Sequence, residues 1–186
     1  MQSLNPKVLE FVYLDEQADI KHALQLATQI HAFQYRKDGR PYIEHPIDVA
    51  TILQQNIDQA DSNLIAAALL HDGIELGPSS TYEKITKLVN LEVAHIVFTL
   101  SDDQKLSSDQ RKAQQLKYAQ YLSPTAKLIK LADRLSNVRQ PRPDWNLEQR
   151  AKYVTHTNSL LTLLAGTHQG LERQIQGHLQ QAVWLP

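Results

Sequence analysis

The spacing of the apolar residues is the feature that most restricts how this chain can fold. Apolar residues recur every three or four positions through most of the sequence, and no segment alternates apolar and polar residues as a half-buried β-strand would. Two such faces are Ile20, Ala23, Leu24, Ala27, Ile30 and His31, and later Leu128, Leu131, Leu135 and Val138. This spacing predicts an all-α fold.

The length and the distribution of breaks predict one domain. A chain of 186 residues can bury roughly 70% of the surface that its unfolded form exposes. Gly, Pro, Ser and Asp concentrate at residues 37–44, 73–80, 101–109 and 140–144, and none of these breaks is long enough to separate two domains. We predict a single domain over residues 1–186, with a core at about residues 18–168 and a glutamine-rich, peripheral helix after residue 168.

Three polar positions predict where helices begin. Ser80, with Glu83 three residues later, has the pattern of a capping box. Ser123 precedes Pro124, which favours an N-cap followed by proline in the first turn, and Asn146 can cap the last long helix. These signals agree with helices that are separated by short loops.

Composition excludes several classes of function. The chain has no cysteine, so disulfides, thiolate metal sites and cysteine nucleophiles are excluded, and any bound metal must use nitrogen and oxygen ligands. With 19 basic and 20 acidic residues the formal charge is -1, which gives no general attraction for nucleic acid or an anionic membrane. The longest apolar run, Leu64 to Leu70, is too short to span a bilayer, and the N-terminus lacks the pattern of a signal peptide, so we expect a cytoplasmic protein.

A histidine and an aspartate end the most apolar segment. In the run from Ala66 to Leu70, a buried helix leads directly into His71 and Asp72, and Gly73 follows. Consecutive residues of a helix point about 100° apart. Both side chains therefore reach one ion only if it lies over the helix end, where Gly73 lets the chain unwind. A lone His-Asp pair more often consists of a histidine that interacts with the helix dipole and an aspartate that turns the loop.

A second polar group lies on the helix predicted near residues 127–137. Lys130, Asp133 and Asn137 follow one another at three- and four-residue spacing, so an ammonium, a carboxylate and an amide share one face. This face could form part of a metal or phosphate site. Alternatively, Asp133 pairs with Lys130 or Arg134 in a solvated surface cluster, as such charges commonly do.

A third segment, from His31 to Pro46, joins a histidine to a basic loop. Arg36 could stack on a nucleotide base, and Lys37 and Arg40 could contact phosphate groups. Taken alone, a basic loop is more often simply solvated.

Together these three segments, in this order and spacing, resemble the HD-domain metal-dependent phosphohydrolases. More narrowly, they resemble the hydrolase domain of the RelA/SpoT family in its single-domain form, the small alarmone hydrolases, over nearly the whole chain. The resemblance rests on R-K-x-G-x-P-Y-I-x-H-P from Arg36 to Pro46, A-x-L-L-H-D ending at Asp72, and K-L-A-D-R-L-x-N from Lys130 to Asn137. It implies a single HD-type helical bundle with a metal site between helices.

The resemblance also implies roles for individual residues. The metal ligands would be His31, His71, Asp72 and Asp133, with Mn²⁺ as the family's usual ion and iron or zinc as alternatives. Glu75 and Asn137 would be catalytic, and the nucleotide would be bound by Arg36, Lys37, Lys130, Asn137 and Tyr153. His45 belongs to the third segment, where we expect it to order the loop rather than bind metal.

One position departs from the family pattern. After the His-Asp pair the family has the sequence x-x-E-D-T, whereas this chain has Leu76 directly after Glu75. Loss of one general acid or base typically lowers a rate by about 10² to 10⁴-fold. Leu76 therefore predicts slow turnover, catalysis by Glu75 alone, or a different substrate.

Three functions follow from the resemblance. The first is hydrolysis of (p)ppGpp, guanosine tetra- or pentaphosphate, to GDP or GTP and pyrophosphate, without synthesis because no synthetase domain is present. The second is hydrolysis of another phosphorylated nucleotide, such as an adenine alarmone or the 2′-phosphate of NADPH. The third is metal-dependent alarmone binding without turnover. In each case the partner is a small-molecule nucleotide, and no nucleic acid, membrane or particular oligomeric state is predicted.

Overall fold

A computed structural model describes residues 18–184, which form α-helices joined by loops and confirm the all-α prediction. The helices are α1 (Ala18–Ile30), α2 (Glu44–Asn56), α3 (Ser62–Leu70), α4 (Gly73–Leu76), α5 (Thr81–Leu88), α6 (Leu91–Leu100), α7 (Ser108–Ala119), α8 (Pro124–Arg139), α9 (Leu147–Leu163) and α10 (Gln169–Leu179), followed by a 3-10 turn (Ala182–Trp184). Within this range, β-pairing is limited to one isolated bridge between Tyr35 and Pro41. No helix between residues 18 and 184 is both long enough and apolar enough to cross a bilayer.

Helix α3 lies at the centre of the bundle because it has no polar face. Every side chain from Leu64 to Leu70 is buried, and α3 packs against α1, α2 and α6. A helix that is apolar on all sides is stable in water only when neighbouring elements surround it. The C-terminal end of α3, where His71 and Asp72 follow, therefore opens into the interior of the bundle.

Helix α8 is the second largely buried element, and it packs against α2, α6 and α10. The sequence predicts one apolar stripe on this helix, but Ile129 and Ala132 outside that stripe are also buried. Packing against four neighbouring helices, which include α3, explains this wider burial. Lys130, Asp133 and Asn137 stay half-buried along one face, as their spacing predicts.

All three predicted helix starts are confirmed, and two of them have the predicted side-chain cap. The Ser123 hydroxyl accepts the hydrogen bond that caps α8, and the Asn146 side chain forms a full capping box with Gln149 at the start of α9. The predicted capping box of Ser80 and Glu83 is wrong, because the Ser80 side chain makes no capping hydrogen bond. Its backbone (φ -81°, ψ 8°) lacks the extended conformation that an N-cap normally adopts.

The C-terminal helix contributes to the core. The sequence predicts a peripheral helix after residue 168, but in the structure α10 buries Leu171, Ile175 and Leu179 and packs against α8. The following turn adds the buried indole of Trp184, whose Nε1 donates a hydrogen bond to the Val138 carbonyl at 3.1 Å. Four-residue spacing of three apolar residues is therefore enough to anchor a helix whose other positions are mostly polar.

A buried histidine links α9 to α7. The His156 ring is almost fully buried, and its Nε2 lies 3.3 Å from the Lys112 carbonyl oxygen. Burial, together with the nearby Arg134 guanidinium, lowers the pKa of His156 to about 4. The folded protein therefore favours the neutral imidazole.

This burial predicts a specific loss of stability in acid. Between pH 6.5 and about 4 the unfolded chain binds a proton at His156 and the folded chain does not, so the free energy of unfolding falls as the pH decreases through this range. We expect His156→Gln, which cannot be protonated, to show a smaller decrease than the wild type in urea unfolding at a series of pH values. The matched control is His95→Gln, because His95 is exposed on α6. Equal pH dependence in the two variants would contradict the prediction.

Candidate active site

Four polar side chains from three parts of the chain meet beyond the end of α3. They are His45 in the first turn of α2, His71 and Asp72 directly after α3, and Asp133 in the middle of α8. The His45 Nε2 atom lies 3.2 Å from Asp133 Oδ1 and 3.7 Å from Asp72 Oδ2. The His71 Nε2 atom lies 3.3 Å from Asp72 Oδ1 and 3.9 Å from Asp133 Oδ1. Ligand atoms of His45, His71 and Asp133 all lie within 4.8 Å of one another, so one metal ion could bridge them.

The structure brings His45 close to this centre, in a compact group with His71 and Asp133 that includes neither His31 nor Asp72. The His31 Nε2 atom is also buried and has no hydrogen-bond partner within the described residues, so the metal role that the sequence predicts for His31 stays a prediction. The His31 Nδ1 atom lies 2.8 Å from Gln34 Oε1, and its ring packs against Tyr42 with centroids 5.0 Å apart. Because α1 ends at Ile30, His31 lies at the beginning of a loop, whereas His45 is held in the first turn of a buried helix.

Both histidines of the centre are oriented by a hydrogen bond at Nδ1, the ring nitrogen that faces away from the carboxylates. The His71 Nδ1 atom lies 2.8 Å from the Ala68 carbonyl oxygen, and the His45 Nδ1 atom lies 3.1 Å from Ser136 Oγ. Each ring therefore presents its Nε2 atom to the carboxylates. Partners of this kind, which fix ring orientation, commonly accompany histidines that bind metal.

Each of the two carboxylates also accepts a hydrogen bond from a side chain outside the four-residue centre. The Tyr42 hydroxyl donates a hydrogen bond to Asp72 Oδ2 at 2.7 Å, and the Asn137 amide donates to Asp133 Oδ1 at 2.7 Å. Burial raises the pKa of the Tyr42 hydroxyl and the Asp72 charge raises it further, so Tyr42 remains a donor. Asn137, which the sequence predicts as a nucleotide-positioning residue, thus also orients a carboxylate.

Both carboxylates are ionised despite their burial. Burial opposes ionisation of Asp133, but the hydrogen bond and charge of His45, with the charge of His71, hold its pKa well below the ordinary range. Burial likewise opposes ionisation of Asp72, and the same two imidazoles lower its pKa. Two carboxylates and two imidazole nitrogens form a nitrogen-oxygen donor set of the kind that binds divalent transition metals.

Two unpaired nitrogens support the fit of this site to a metal. The His31 Nε2 and His71 Nε2 atoms are both buried and have no hydrogen-bond partner within residues 18–184. An unpaired buried polar atom is costly unless a ligand satisfies it. A divalent cation held beside Asp72 and Asp133 would satisfy both nitrogens.

Glu75 lies on the one-turn helix α4, next to the centre. The sequence predicts that Gly73 unwinds the chain after Asp72, but Gly73 instead begins α4, and this turn carries Glu75. Glu75 Oε2 accepts a hydrogen bond from the Asp102 backbone amide at 3.2 Å. Burial raises the pKa of Glu75, and the carboxylates of Asp72 and Asp102 raise it further, so Glu75 can accept a proton at a higher pH than an ordinary glutamate.

The end of α4 is compact at Gly77 and is tied to His31 by an amide. A Cβ atom at Gly77 would lie 2.4 Å from the Gly73 carbonyl oxygen, so only glycine fits this close approach. The Gln34 Nε2 atom donates a hydrogen bond to the Leu76 carbonyl oxygen at 2.9 Å, while its Oε1 contacts His31. His31 and Gln34 therefore brace the turn that carries Glu75.

A cleft of about 390 Å³ connects the four-residue centre to the basic loop. The Arg36 guanidinium donates a hydrogen bond to Asn137 Oδ1 at 3.0 Å, which fixes the loop against α8. Lys37 and Lys130 line the same cleft as Glu75. The structure thus brings together the centre, Glu75 and these predicted nucleotide-binding residues.

Tyr153 lies on the opposite flank, in an adjoining cleft. Its ring packs between Trp145 and Trp184, and the Arg134 guanidinium lies 4.9 Å from its centroid. This flank also carries four cationic side chains that the sequence interpretation does not single out, Arg111, Lys112, Arg142 and Lys152. They come from different helices and a loop, so no local spacing in the sequence reveals the group.

Comparison with known proteins identifies the family. Residues 23–171 match the HD domain family, and this segment contains every residue of the candidate site. The chain belongs to the HD-domain family. The matched segment begins within α1 and ends in α10, so the family covers most of the described bundle.

Several relatives within this family are similar over most of the chain. Guanosine-3′,5′-bis(diphosphate) 3′-pyrophosphohydrolase MESH1 of Danio rerio is 35% identical over 86% of this chain and 91% of that protein. The Homo sapiens protein of the same name is 34% identical over 89% of this chain and 96% of that protein. A solved structure described as a metazoan ortholog of SpoT that hydrolyzes ppGpp has a TM-score of 0.84 and 34% identity, and covers 91% of this chain and 98% of that chain.

Two histidines can complete the metal site, His31 as the sequence predicts and His45 as the compact group of ligand atoms indicates. We expect alanine substitution of the true ligand to weaken Mn²⁺ binding by about 100-fold or more, beyond the 10- to 100-fold typical of changes in outer partners. Isothermal titration calorimetry with Mn²⁺ alone measures the dissociation constants of His31→Ala and His45→Ala. A larger loss for His31→Ala is the expected result, and a larger loss for His45→Ala would contradict the sequence prediction.

Proposed function

We propose that this chain is a metal-dependent hydrolase that removes the 3′-diphosphate of (p)ppGpp and releases GDP or GTP and pyrophosphate. The observation that carries the proposal is the buried centre of two inward-facing imidazoles and two ionised carboxylates beside Glu75. The relatives named as guanosine-3′,5′-bis(diphosphate) 3′-pyrophosphohydrolases, similar over most of both chains, support the substrate.

His71, Asp72 and Asp133 would hold one divalent cation, with His31 as the second imidazole that the sequence predicts and His45 as the alternative. The carboxylates of this donor set suit Mn²⁺, and its imidazoles suit iron or zinc. When bound, the cation supplies positive charge that stabilises the phosphoryl oxygens during hydrolysis. Tyr42, Ser136 and Asn137 keep the ligands in place from outside.

Glu75 would handle the proton of the attacking water. The water oxygen bonds to the phosphorus atom attached to O3′, the bond between phosphorus and O3′ breaks, and pyrophosphate leaves. Glu75 accepts a proton from the water, and the O3′ atom ends as a hydroxyl after gaining a proton. The raised pKa of Glu75 suits a group that must take up a proton near neutral pH.

The two flanks of the cleft would hold the rest of the nucleotide. Arg36 and Lys37 lie on the flank proposed for the guanine base, and a guanidinium can stack on a base. Lys130 faces the phosphates and offsets their charge, and Asn137 positions the ribose-phosphate. Tyr153, with the cations near it, would contact the nucleotide from the opposite flank.

Leu76 is the observation that favours a second candidate function. Leu76 supplies no titratable group at the position after Glu75, and the hydrogen bond from Gln34 to the Leu76 carbonyl involves only the backbone of this residue. An adenine alarmone or the 2′-phosphate of NADPH would then be the substrate, or the protein would bind an alarmone without turnover. A panel of these nucleotides, assayed for pyrophosphate and orthophosphate, separates the three possibilities.

The proposed role of Glu75 predicts the effect of its removal. We expect Glu75→Gln to lower kcat by about 10² to 10⁴-fold with little change in Mn²⁺ affinity, because Glu75 moves a proton and is not a ligand. In the wild type, kcat/KM for ppGpp falls as the pH decreases through the raised pKa of Glu75, because the protonated carboxyl cannot accept a proton.

Glu83→Gln is the control for this experiment. Glu83 is exposed on α5, so this substitution removes the same charge far from the cleft. Pyrophosphate release is measured with Mn²⁺ and ppGpp. Full activity in Glu75→Gln would exclude the proposed role, and absence of pyrophosphate with every guanosine substrate would exclude the proposed reaction.

Restoring an acid at Leu76 tests whether the leucine limits the rate. If a second carboxylate assists proton transfer in this cleft, Leu76→Asp increases kcat for ppGpp by at least about tenfold, within the range of one general acid or base. Leu76→Asn is the matched control, because it has the same shape without the charge. Equal rates in the two variants would indicate that Glu75 works without a second acid.

A further inference from the structure

A carboxylate from a distant part of the chain lies beside Glu75. Asp102, in the loop between α6 and α7, brings its backbone amide to 3.2 Å from Glu75 Oε2. Its side chain lines the same cleft as Glu75, Lys130 and Asp133. Neither the metal site nor the nucleotide contacts of the proposed function use this carboxylate. Leu76 therefore leaves α4 without an acid next to Glu75, but the loop after α6 supplies one.

The Asp102 side chain is held through only one of its two oxygens. The Gln115 amide of α7 donates a hydrogen bond to Asp102 Oδ2 at 2.6 Å, and Arg111 Nε lies 4.0 Å from the same oxygen. Arg111 also donates to the Leu106 carbonyl at 3.2 Å, which ties the loop to α7. Between residues 18 and 184, Oδ1 has neither a hydrogen bond nor an ion pair, although only 17% of the side chain is exposed. Oδ1 is therefore available to a donor in the cleft.

The attacking water of the proposed hydrolysis needs two acceptors to be fixed in orientation. Glu75 Oε2 already accepts the Asp102 amide, which leaves Oε1 to take the proton from one O–H group of the water. The other O–H group would let the water rotate if it had no acceptor. Because orientation of the reacting atoms lowers the barrier, a second fixed acceptor beside Glu75 increases the rate.

We propose that Asp102 is a catalytic residue that orients the attacking water, with its Oδ1 atom accepting a hydrogen bond from one O–H group while Glu75 accepts the proton of the other. This inference rests on the proposed function and adds a residue to its mechanism. No proton moves to Asp102, so the bonds formed and broken and the proton balance are those of the hydrolysis described above.

The first test measures turnover and metal affinity separately. Asp102→Asn keeps an oxygen for the Gln115 amide but presents an NH₂ group, which cannot accept a hydrogen bond, in place of Oδ1. We expect kcat for ppGpp to decrease about 10- to 100-fold, the loss typical of one hydrogen bond to a charged group, with the Mn²⁺ dissociation constant from calorimetry within a few-fold of wild type.

Asp103→Asn is the matched control for this substitution. Asp103 is the next residue of the same loop, is exposed and lines a different cleft, and asparagine keeps an oxygen for the Lys105 amide that Asp103 binds. Its kcat should equal that of the wild type. Asp102→Ala, which also lacks the acceptor, serves as a second variant if Asp102→Asn does not fold.

The second test asks whether Asp102 and Glu75 act on the same water. If they do, a correctly oriented water has little use without its base, so the variant with both Glu75→Gln and Asp102→Asn loses much less kcat than the product of the two single losses. Losses that multiply would overturn the shared role.

The third test needs neither substrate nor metal. The charged groups that face Glu75 are Asp72 after α3, Asp102, and Lys130 on α8. Burial raises the pKa of Glu75, and the Asp102 charge contributes in the same direction, so Asp102→Asn should lower this pKa relative to the wild type. NMR titration of protein labelled with ¹³C at the glutamate carboxyl measures it, with the Glu75 signal assigned by its loss in Glu75→Gln. Equal pKa values in Asp102→Asn and Asp103→Asn would overturn the inference.

The outcomes separate this inference from the proposed function. Unchanged kcat in Asp102→Asn would overturn the role of Asp102 and leave metal-dependent hydrolysis intact. A lower KM with unchanged kcat would do the same, because it would show that Asp102 only repels the anionic nucleotide. Absence of pyrophosphate release from ppGpp by the wild type would instead overturn the proposed function, and the role of Asp102 in that reaction with it.

Discussion

Two carboxylates held close together inside a bundle are the constraint on which the rest of the structure depends. Asp72 and Asp133 would repel each other in a poorly solvated interior, and one of them would take up a proton if no positive partner were near. His45 and His71 lie between them at 3.2–3.9 Å. This arrangement keeps both acids ionised and creates a place for a cation.

Helix α8 supplies much of what holds this centre in order. Asp133 provides a carboxylate, Ser136 holds His45, and Asn137 joins Asp133 to Arg36 of the basic loop. Their spacing of three and four residues puts all three near one another. Burial of the apolar sides of α8 under α2 and α10 fixes the rotation of the helix, so core packing controls the geometry of the site.

The sequence predicted the fold, and the place in it where a polar site forms, for physical reasons that are local. Helical spacing and the fully apolar run ending at His71 identify an all-α bundle with a polar centre at the end of a buried helix. Local spacing does not decide between His31 and His45 as a ligand, because the two histidines lie at opposite ends of the same loop. Only the folded chain shows that His31 is held by Gln34 and Tyr42 with its Nε2 atom buried and unpaired, while the ring of His45 faces the carboxylates.

The cationic flank could not be predicted for the same reason, since Arg111 and Lys152 are distant in sequence and meet only through the packing of α7 against α9. The capping error at Ser80 has a different origin. A serine followed by a glutamate at the right distance satisfies the pattern, but the backbone of the preceding turn does not adopt the required conformation. Patterns of residue type therefore predict a helix cap correctly where the capping residue has an extended backbone. They fail where the preceding turn gives that residue another conformation.

The aromatic packing around Tyr153 gives the molecule a built-in optical reporter. The chain has two tryptophans, Trp145 and Trp184, with ring centroids 6.3 Å apart on the flank beside the cleft. The Arg142 guanidinium lies 5.4 Å from the centre of the Trp145 ring, so a ligand that draws this arginine away changes the surroundings of an indole. Tryptophan emission from unlabelled protein therefore originates entirely from the part of the structure where the cationic flank and the C-terminal turn meet.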